Sequence, residues 1–113
     1  MHEPQVFRTD VPVSTALYDY NEGQPTTLLT GSYVDGTPAL LIEDNDEGCP
    51  IIETLSMNLS GYGLHPAPGN VFIKDYSEHE GLTGNLVANG IVRVVREVPI
   101  GMGSGYEVEL IPV

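Results

Sequence analysis

The sequence predicts an α+β fold, mainly antiparallel β-sheet with one short α-helix at about residues 78–89. Three observations predict it. Short runs of alternating apolar and polar residues recur from Leu28 onward. Turn signals such as Asp35-Gly36 and Gly101-Met-Gly-Ser-Gly105 separate them. One window alone, after Ser77, places apolar residues at helical spacing.

Residues 1–27 lack a clear period, and Pro4, Pro12, Asn21-Glu22-Gly23 and Pro25 interrupt them. They are expected to form an irregular N-terminal arm, with Val6-Phe7 and the pair Tyr18 and Tyr20 enough for one short strand or a docking arm. A strand-rich core is expected over 28–113, and with no linker in view the chain 1–113 reads as one domain. Residues 28–34 form a strand that enters the Asp35-Gly36 hairpin turn, and 37–43 return. Residues 44–49 then read as a polar acidic turn. Residues 51–59 form the next strand, with Leu55, Met57 and Leu59 on one face and Thr54, Ser56 and Asn58 on the other. Residues 60–70 are a Gly- and Pro-rich loop, and 71–76 another strand.

The helix follows. Ser77 with Glu80 fits a capping box, Leu82, Leu86 and Val87 supply an apolar face, and Asn89-Gly90 is a left-handed stop. Gly81 and Gly84 weaken it, each by about 1 kcal/mol against Ala. Residues 91–98 and 106–112 are the last strands, joined by the glycine-rich loop 101–105. In the final strand Tyr106, Val108 and Leu110 face one way, Glu107 and Glu109 the other.

Composition speaks mainly through charge. Lys and Arg total 4, Asp and Glu total 16, and the formal net charge is −12. Nucleic-acid binding relies on Lys and Arg that neutralise phosphates, so neither a bare duplex nor an anionic membrane is an expected partner. Basic partners are steered toward such a surface over roughly 8–10 Å. Colloidal solubility, or a salt-loving host, gives the same charge without any partner. The single cysteine, Cys49, allows no internal disulfide, and no signal pattern or long apolar run is present, so a cytoplasmic, monomeric protein is expected.

No catalytic motif stands out. Glu43, Asp44, Asp46 and Glu47 crowd a predicted hairpin tip, where they form a solvated turn, a partner-facing patch or a cation site. The spacing Asp44-x-Asp46-x-Gly48 starts like an EF-hand loop but lacks its distant Glu. Asp75, Glu78, His79 and Glu80 gather the acid, base and ligand groups that a small metal-dependent enzyme would use. Acidity at a helix start also has a simpler cause, since it offsets the macrodipole. His2, His65 and His79 lack the paired spacing of a zinc site, and the glycines at 101–105 precede a strand rather than a phosphate-binding helix. No metal or other cofactor is expected. Tyrosines interleaved with acids, as in Tyr18-Asp19-Tyr20, suit an arginine-rich interface as well as a core.

Several stretches together carry a resemblance. They are Gly31-Ser-Tyr-Val-Asp-Gly36 leading to Ala39-Leu-Leu-Ile-Glu-Asp44, Gly48-Cys-Pro-Ile before Leu55-Ser-Met-Asn-Leu59, and above all Val71-Phe-Ile-Lys-Asp-Tyr-Ser-Glu-His-Glu-Gly81, followed by Leu86-Val-Ala-Asn-Gly-Ile91. Over roughly residues 28–95 this resembles the small family catalogued as domain of unknown function 4313, carried on bacterial plasmids, integrative elements and phages. Members usually have Asn at the position of His79, which speaks against an essential histidine. The resemblance carries over no catalytic residue. It implies a mobile-element setting, where small acidic proteins often act as anti-CRISPR or anti-restriction factors whose carboxylates stand in for DNA phosphates.

The expectation is therefore a non-enzymatic inhibitor in a bacterial host cell. It would bind a basic nucleic-acid-binding protein, a CRISPR effector subunit or a restriction enzyme, through Glu43, Asp44, Asp46, Glu47, Asp75, Glu78, Glu80, Glu107 and Glu109. The alternatives are a generic adaptor of plasmid or phage biology, and a small metal-dependent enzyme using Asp75, Glu78 and His79.

Overall fold

A computed structural model describes residues 4–46, 48–101 and 103–112. Among them are two four-stranded antiparallel sheets and one α-helix, which is the α+β class expected. The first sheet is ordered β1 (Gln5–Val11), β2 (Thr26–Ser32), β3 (Pro38–Asp46), β4 (Cys49–Thr54). The second is ordered β5 (Ser56–Met57), β6 (Asn70–Lys74), β8 (Gly103–Leu110), β7 (Val92–Ile100), with α1 (Leu82–Ala88) against β6 and β7. The core between them draws Leu28, Leu40 and Ile42 from the first sheet, Val71, Ile73 and Val108 from the second, and Leu82 and Leu86 from α1. No helix of the described residues is long and apolar enough to cross a membrane.

The N-terminal segment is not an irregular arm. β1 pairs along β2, and Val11, Val13 and Tyr20 are core residues. Two register shifts interrupt β1, and Asp10 adopts a left-handed φ of 59°. Bulges of this kind erase the two-residue period by which a strand is recognised in sequence.

The strand expected at 51–59 is two strands in different sheets. Leu55 lies at the crossing, fully buried, and its amide donates to the Leu40 carbonyl. Ser56 then turns its hydroxyl back to accept from the Leu40 amide. Tyr33 also contacts that hydroxyl at 2.9 Å. The seam is thus held by a serine that would otherwise be a costly buried polar group. The face expected for Ser56 is corrected accordingly: it is buried, while Thr54 and Asn58 are exposed.

The helix is shorter than expected and its cap is different. Residues 78–81 stay outside it: Ser77–His79 form a 3₁₀ turn, and Gly81 sits at φ 89° as the residue before α1. A Cβ on Gly81 would stand 3.1 Å from the Ala16 amide nitrogen, so the chain there needs glycine for both space and φ. No capping box forms. The Asp75 carboxylate reaches the Gly81 amide at 3.0 Å and the Thr83 amide at 2.7 Å instead. Asp75→Ala is therefore expected to lower the unfolding free energy by about 1–2 kcal/mol in urea titrations, while Ser77→Ala changes it by less than about 0.5 kcal/mol. The Asn89-Gly90 stop forms as expected, with Gly90 at φ 70° and the Ile91 amide bonded to the Leu86 carbonyl.

The acidic turn at 44–49 is also corrected, because β3 continues to Asp46 and β4 begins at Cys49. Asp44 is paired with Ile51 across the ladder, which keeps its backbone regular and its side chain on a fixed face.

Candidate functional site

Alternation along β3 puts Leu40, Ile42 and Asp44 on the core side and Glu43 on the outer side. Ile51 and Glu53 lie opposite Asp44 and Ile42 on β4, so they share the inner face. Residues 14–24 fold across the end of that face. Tyr20 anchors them: it is the largest fully buried side chain, and its amide bonds to the Val13 carbonyl. A hollow of 420 Å³ remains, bounded by Tyr18, Tyr20, Asp44, Glu53, Glu78 and His79.

Its polar groups are ordered. Asp44, 3% exposed, accepts from the Tyr18 hydroxyl, the Asn21 amide and the Asn45 amide. The Tyr20 hydroxyl donates to Glu53 Oε1 at 3.3 Å, and His79 Nε2 lies 3.3 Å from the same oxygen. Burial first, then the Glu53 charge, pushes the Tyr20 phenol well above its usual range. His79 is 5% exposed, and its Nδ1 is buried without a hydrogen-bond partner. A histidine base needs one nitrogen held by a carboxylate and the other open to substrate. Here Glu53 holds Nε2, and Nδ1 is closed off from solvent.

Of the other expected site residues that the structure describes, only Glu78 reaches the rim of this hollow. Glu43 is exposed on the outer side of β3, and Glu80 is exposed beside α1. Glu78 pairs with Lys74 at 2.6 Å, which draws its carboxyl down to about 2. Glu109 pairs with Arg93 at 2.7 Å. Asp75 is engaged by the amides before and within α1. The trio Asp75, Glu78 and His79 therefore bonds in three separate directions. Glu47 and His2 lie outside the described residues, as does the Asp46 side chain. No cluster of three potential metal ligands occurs among the described residues, and His65 is exposed, away from any zinc-like grouping.

Glu107 departs most from expectation. It does face away from Val108, but residues 64–70 cover that side of the sheet and leave it 4% exposed. Its carboxylate accepts from the Ala67 amide at 3.0 Å, Asn70 Nδ2 at 2.7 Å and Arg96 Nε at 2.7 Å. Burial alone would push the carboxyl up, but these donors outweigh it and hold it below the usual range.

Glu53 was not singled out from sequence, yet the signal was present. The alternation that puts Leu55, Met57 and Leu59 on one face, continued backward, puts Glu53 on that apolar face. A charge at such a position calls for a partner, and the structure provides Tyr20 and His79.

These features define an acidic, two-sheet α+β protein with a tyrosine- and carboxylate-lined hollow at one end of its first sheet. Compared with known protein families, curated proteins and solved structures, the chain matches none.

Proposed function

We propose that the protein is an acidic, non-enzymatic inhibitor from a mobile element or phage, which occupies the nucleic-acid site of a bacterial defence protein of the CRISPR or restriction type. One observation carries the reading: every lysine and arginine is engaged within the chain. Lys74, Arg93 and Arg96 meet Glu78, Glu109 and Glu107, and Arg8 donates to the Ile111 carbonyl at 2.6 Å. No lysine or arginine is left to offset Asp10, Asp19, Glu22, Glu43 and Glu80, which are exposed and without a side-chain partner among the described residues. Such a surface attracts the Lys- and Arg-lined channel that DNA would otherwise fill. The family resemblance of residues 28–95 supports the mobile-element setting. The contacting acids of this reading are Glu43 and Glu80 together with Asp10, Asp19 and Glu22, since Asp44 and Glu107 are buried in structural roles.

The test is affinity capture from a bacterial host lysate. A nucleic-acid-binding protein is expected to be retained, displaced by duplex DNA, and weakened about tenfold or more between about 0.1 and 0.5 M salt. Recovery of no such protein defeats the proposal. A second reading, a generic adaptor, is favoured by the outer face of the first sheet. There an apolar groove of 330 Å³ runs beside Tyr33, Ala39, Leu41 and Ile52, with Val34 fully exposed at its end. Capture that survives high salt and ignores DNA selects that reading.

A further inference from the structure

Each sheet ends in two outer strands, and an outer strand presents a row of backbone N–H and C=O groups to whatever comes beside it. Three of these edges carry features that keep a further strand away. β1 is broken by two register shifts and bears Arg8. β5 is only two residues long. β7 has a bulge between Val94 and Arg96, a second arginine at Arg93, and Pro99. β4 carries only Pro50, next to its turn. Its six residues pair in unbroken register with β3, and Ile51 and Ile52 are 45% and 57% exposed. We propose that the free edge of β4 receives an extended segment of a partner protein as an added antiparallel strand, apolar on its outer face and basic on its inner one. The inference rests on the inhibitor reading only for the source of that segment.

Hydrogen-bond phase shows what the edge offers. The Leu55 amide donates to the Leu40 carbonyl. Bonded pairs in an antiparallel ladder recur at every second residue, so Glu53 with Ile42 and Ile51 with Asp44 bond across to β3. Ile52 and Thr54 fall between them and turn their N–H and C=O groups outward, as Pro50 does its carbonyl. No bond to these outward groups occurs among the described residues.

Alternation sets the chemistry of the incoming strand. Its residues that bond to Ile52 lie on the outer face. There Ile52 and Thr54 border the 330 Å³ apolar groove beside Tyr33, Ala39 and Leu41, which suits branched apolar side chains. The residues between them lie on the inner face, opposite Ile51 and Glu53. The Glu53 side chain is 37% exposed, so a basic residue across from it forms an opposite-charge pair.

A second copy suits the edge less. Self-pairing would bring two chains of net charge −12 together over one six-residue strand, a small contact beside the roughly 1,000 Å² of a specific interface. A basic segment gains from the same charge that repels the copy.

The test uses a blocked peptide that alternates isoleucine with lysine, titrated into the full chain at low salt. Saturable binding is expected, with hydrogen exchange slowed about tenfold or more at the Ile52 and Thr54 amides. The Ile51 and Glu53 amides, already bonded to β3, should change little. Methylating the isoleucine nitrogens of the peptide, which face β4, should weaken binding about tenfold or more, whereas methylating the lysine nitrogens, which face away, should change it less than about twofold. Ile52→Pro removes an N–H that β3 does not use and should also weaken the peptide about tenfold. If that variant does not fold, the two methylated peptides give the same readout on the parent chain. Binding that never saturates, unchanged exchange at Ile52 and Thr54, or equal loss from both methylated peptides overturns the proposal. So does protection of those amides that grows with chain concentration in the absence of peptide, which marks a second copy. A failed titration beside a successful lysate capture removes the added strand and leaves the inhibitor reading. Peptide binding with no captured nucleic-acid-binding protein does the reverse.

Discussion

Tyr20→Ala is expected to lower the unfolding free energy by about 4 kcal/mol, within the range for truncating a buried aromatic. Tyr20 is 2% exposed and packs in the same core as Leu28, Ile42 and Leu82. It also anchors a segment whose other ties are hydrogen bonds, among them Tyr18 and Asn21 to Asp44, the Ala16 amide to the Glu80 carbonyl, and Ser14 to Asn85. Within the segment that joins β1 to β2, strand-like pairing is limited to one isolated bridge, Ser14 to Asp19, and Asn21 and Glu22 both sit at left-handed φ angles of 53° and 55°. Each such residue costs roughly 1 kcal/mol or more, which burial of the Tyr20 ring offsets. Hydrogen exchange should therefore show amides 15–24 losing protection ahead of the sheets. Tyr20→Phe separates ring from hydroxyl and is expected to cost only about 1 kcal/mol. It also removes an alkaline transition. The Tyr20 phenol is raised above its reference value of 10.0 by burial and by Glu53. The stability tied to the neutral phenol is complete below about pH 10 and falls as pH rises past it. Urea titrations at neutral pH and near pH 11 check both parts. A Tyr20→Ala protein within about 1 kcal/mol of the parent would show that the segment is held by something else.

The same residue shows what was legible in the sequence. From Leu28 onward, apolar runs bounded by turn signals located β2, β3, β6, β7 and β8 to within a few residues, even though β6 is buried on both faces and β7 is mostly exposed. Before Leu28 the bulges of β1 and the left-handed residues destroy the period, and Tyr20 became recognisable as core only once the sheet it covers was known. The acidic residues were harder to read for a different reason. A sequence gives the number of carboxylates but not the backbone amides that converge on them. Asp44, Asp75 and Glu107 look like Glu43 and Glu80 on the page, yet the first three each bind amides brought together by folding. Those three structural carboxylates leave the surface charge distributed over residues that no local cluster marks.

Glu107→Ala should be the most damaging of the carboxylate substitutions, at about 3 kcal/mol. The side chain joins three elements: the loop at Ala67, Asn70 at the start of β6, and Arg96 on β7. Arg96 is half-exposed and can return to water when the carboxylate goes. The buried Asn70 amide cannot, so that donor is stranded, and the exposed Ala67 loop loses its anchor as well. A melting midpoint lower by about 10–20 °C follows for a domain of this size. The pH dependence identifies the cause. Because the folded carboxyl titrates below its reference value of 4.5, its contribution is fully present above that pH and disappears as pH falls through the depressed value. The parent should therefore lose stability on acidification faster than Glu107→Ala, and the gap between them should narrow below about pH 4. A gap that stays constant from pH 7 to about pH 3 would mean that packing, rather than the ionised carboxylate, supplies the stability. Glu43→Ala, on the open side of β3, should change the midpoint by no more than about 2 °C across the same range. This contrast separates carboxylates that hold the fold together from those free to meet a partner.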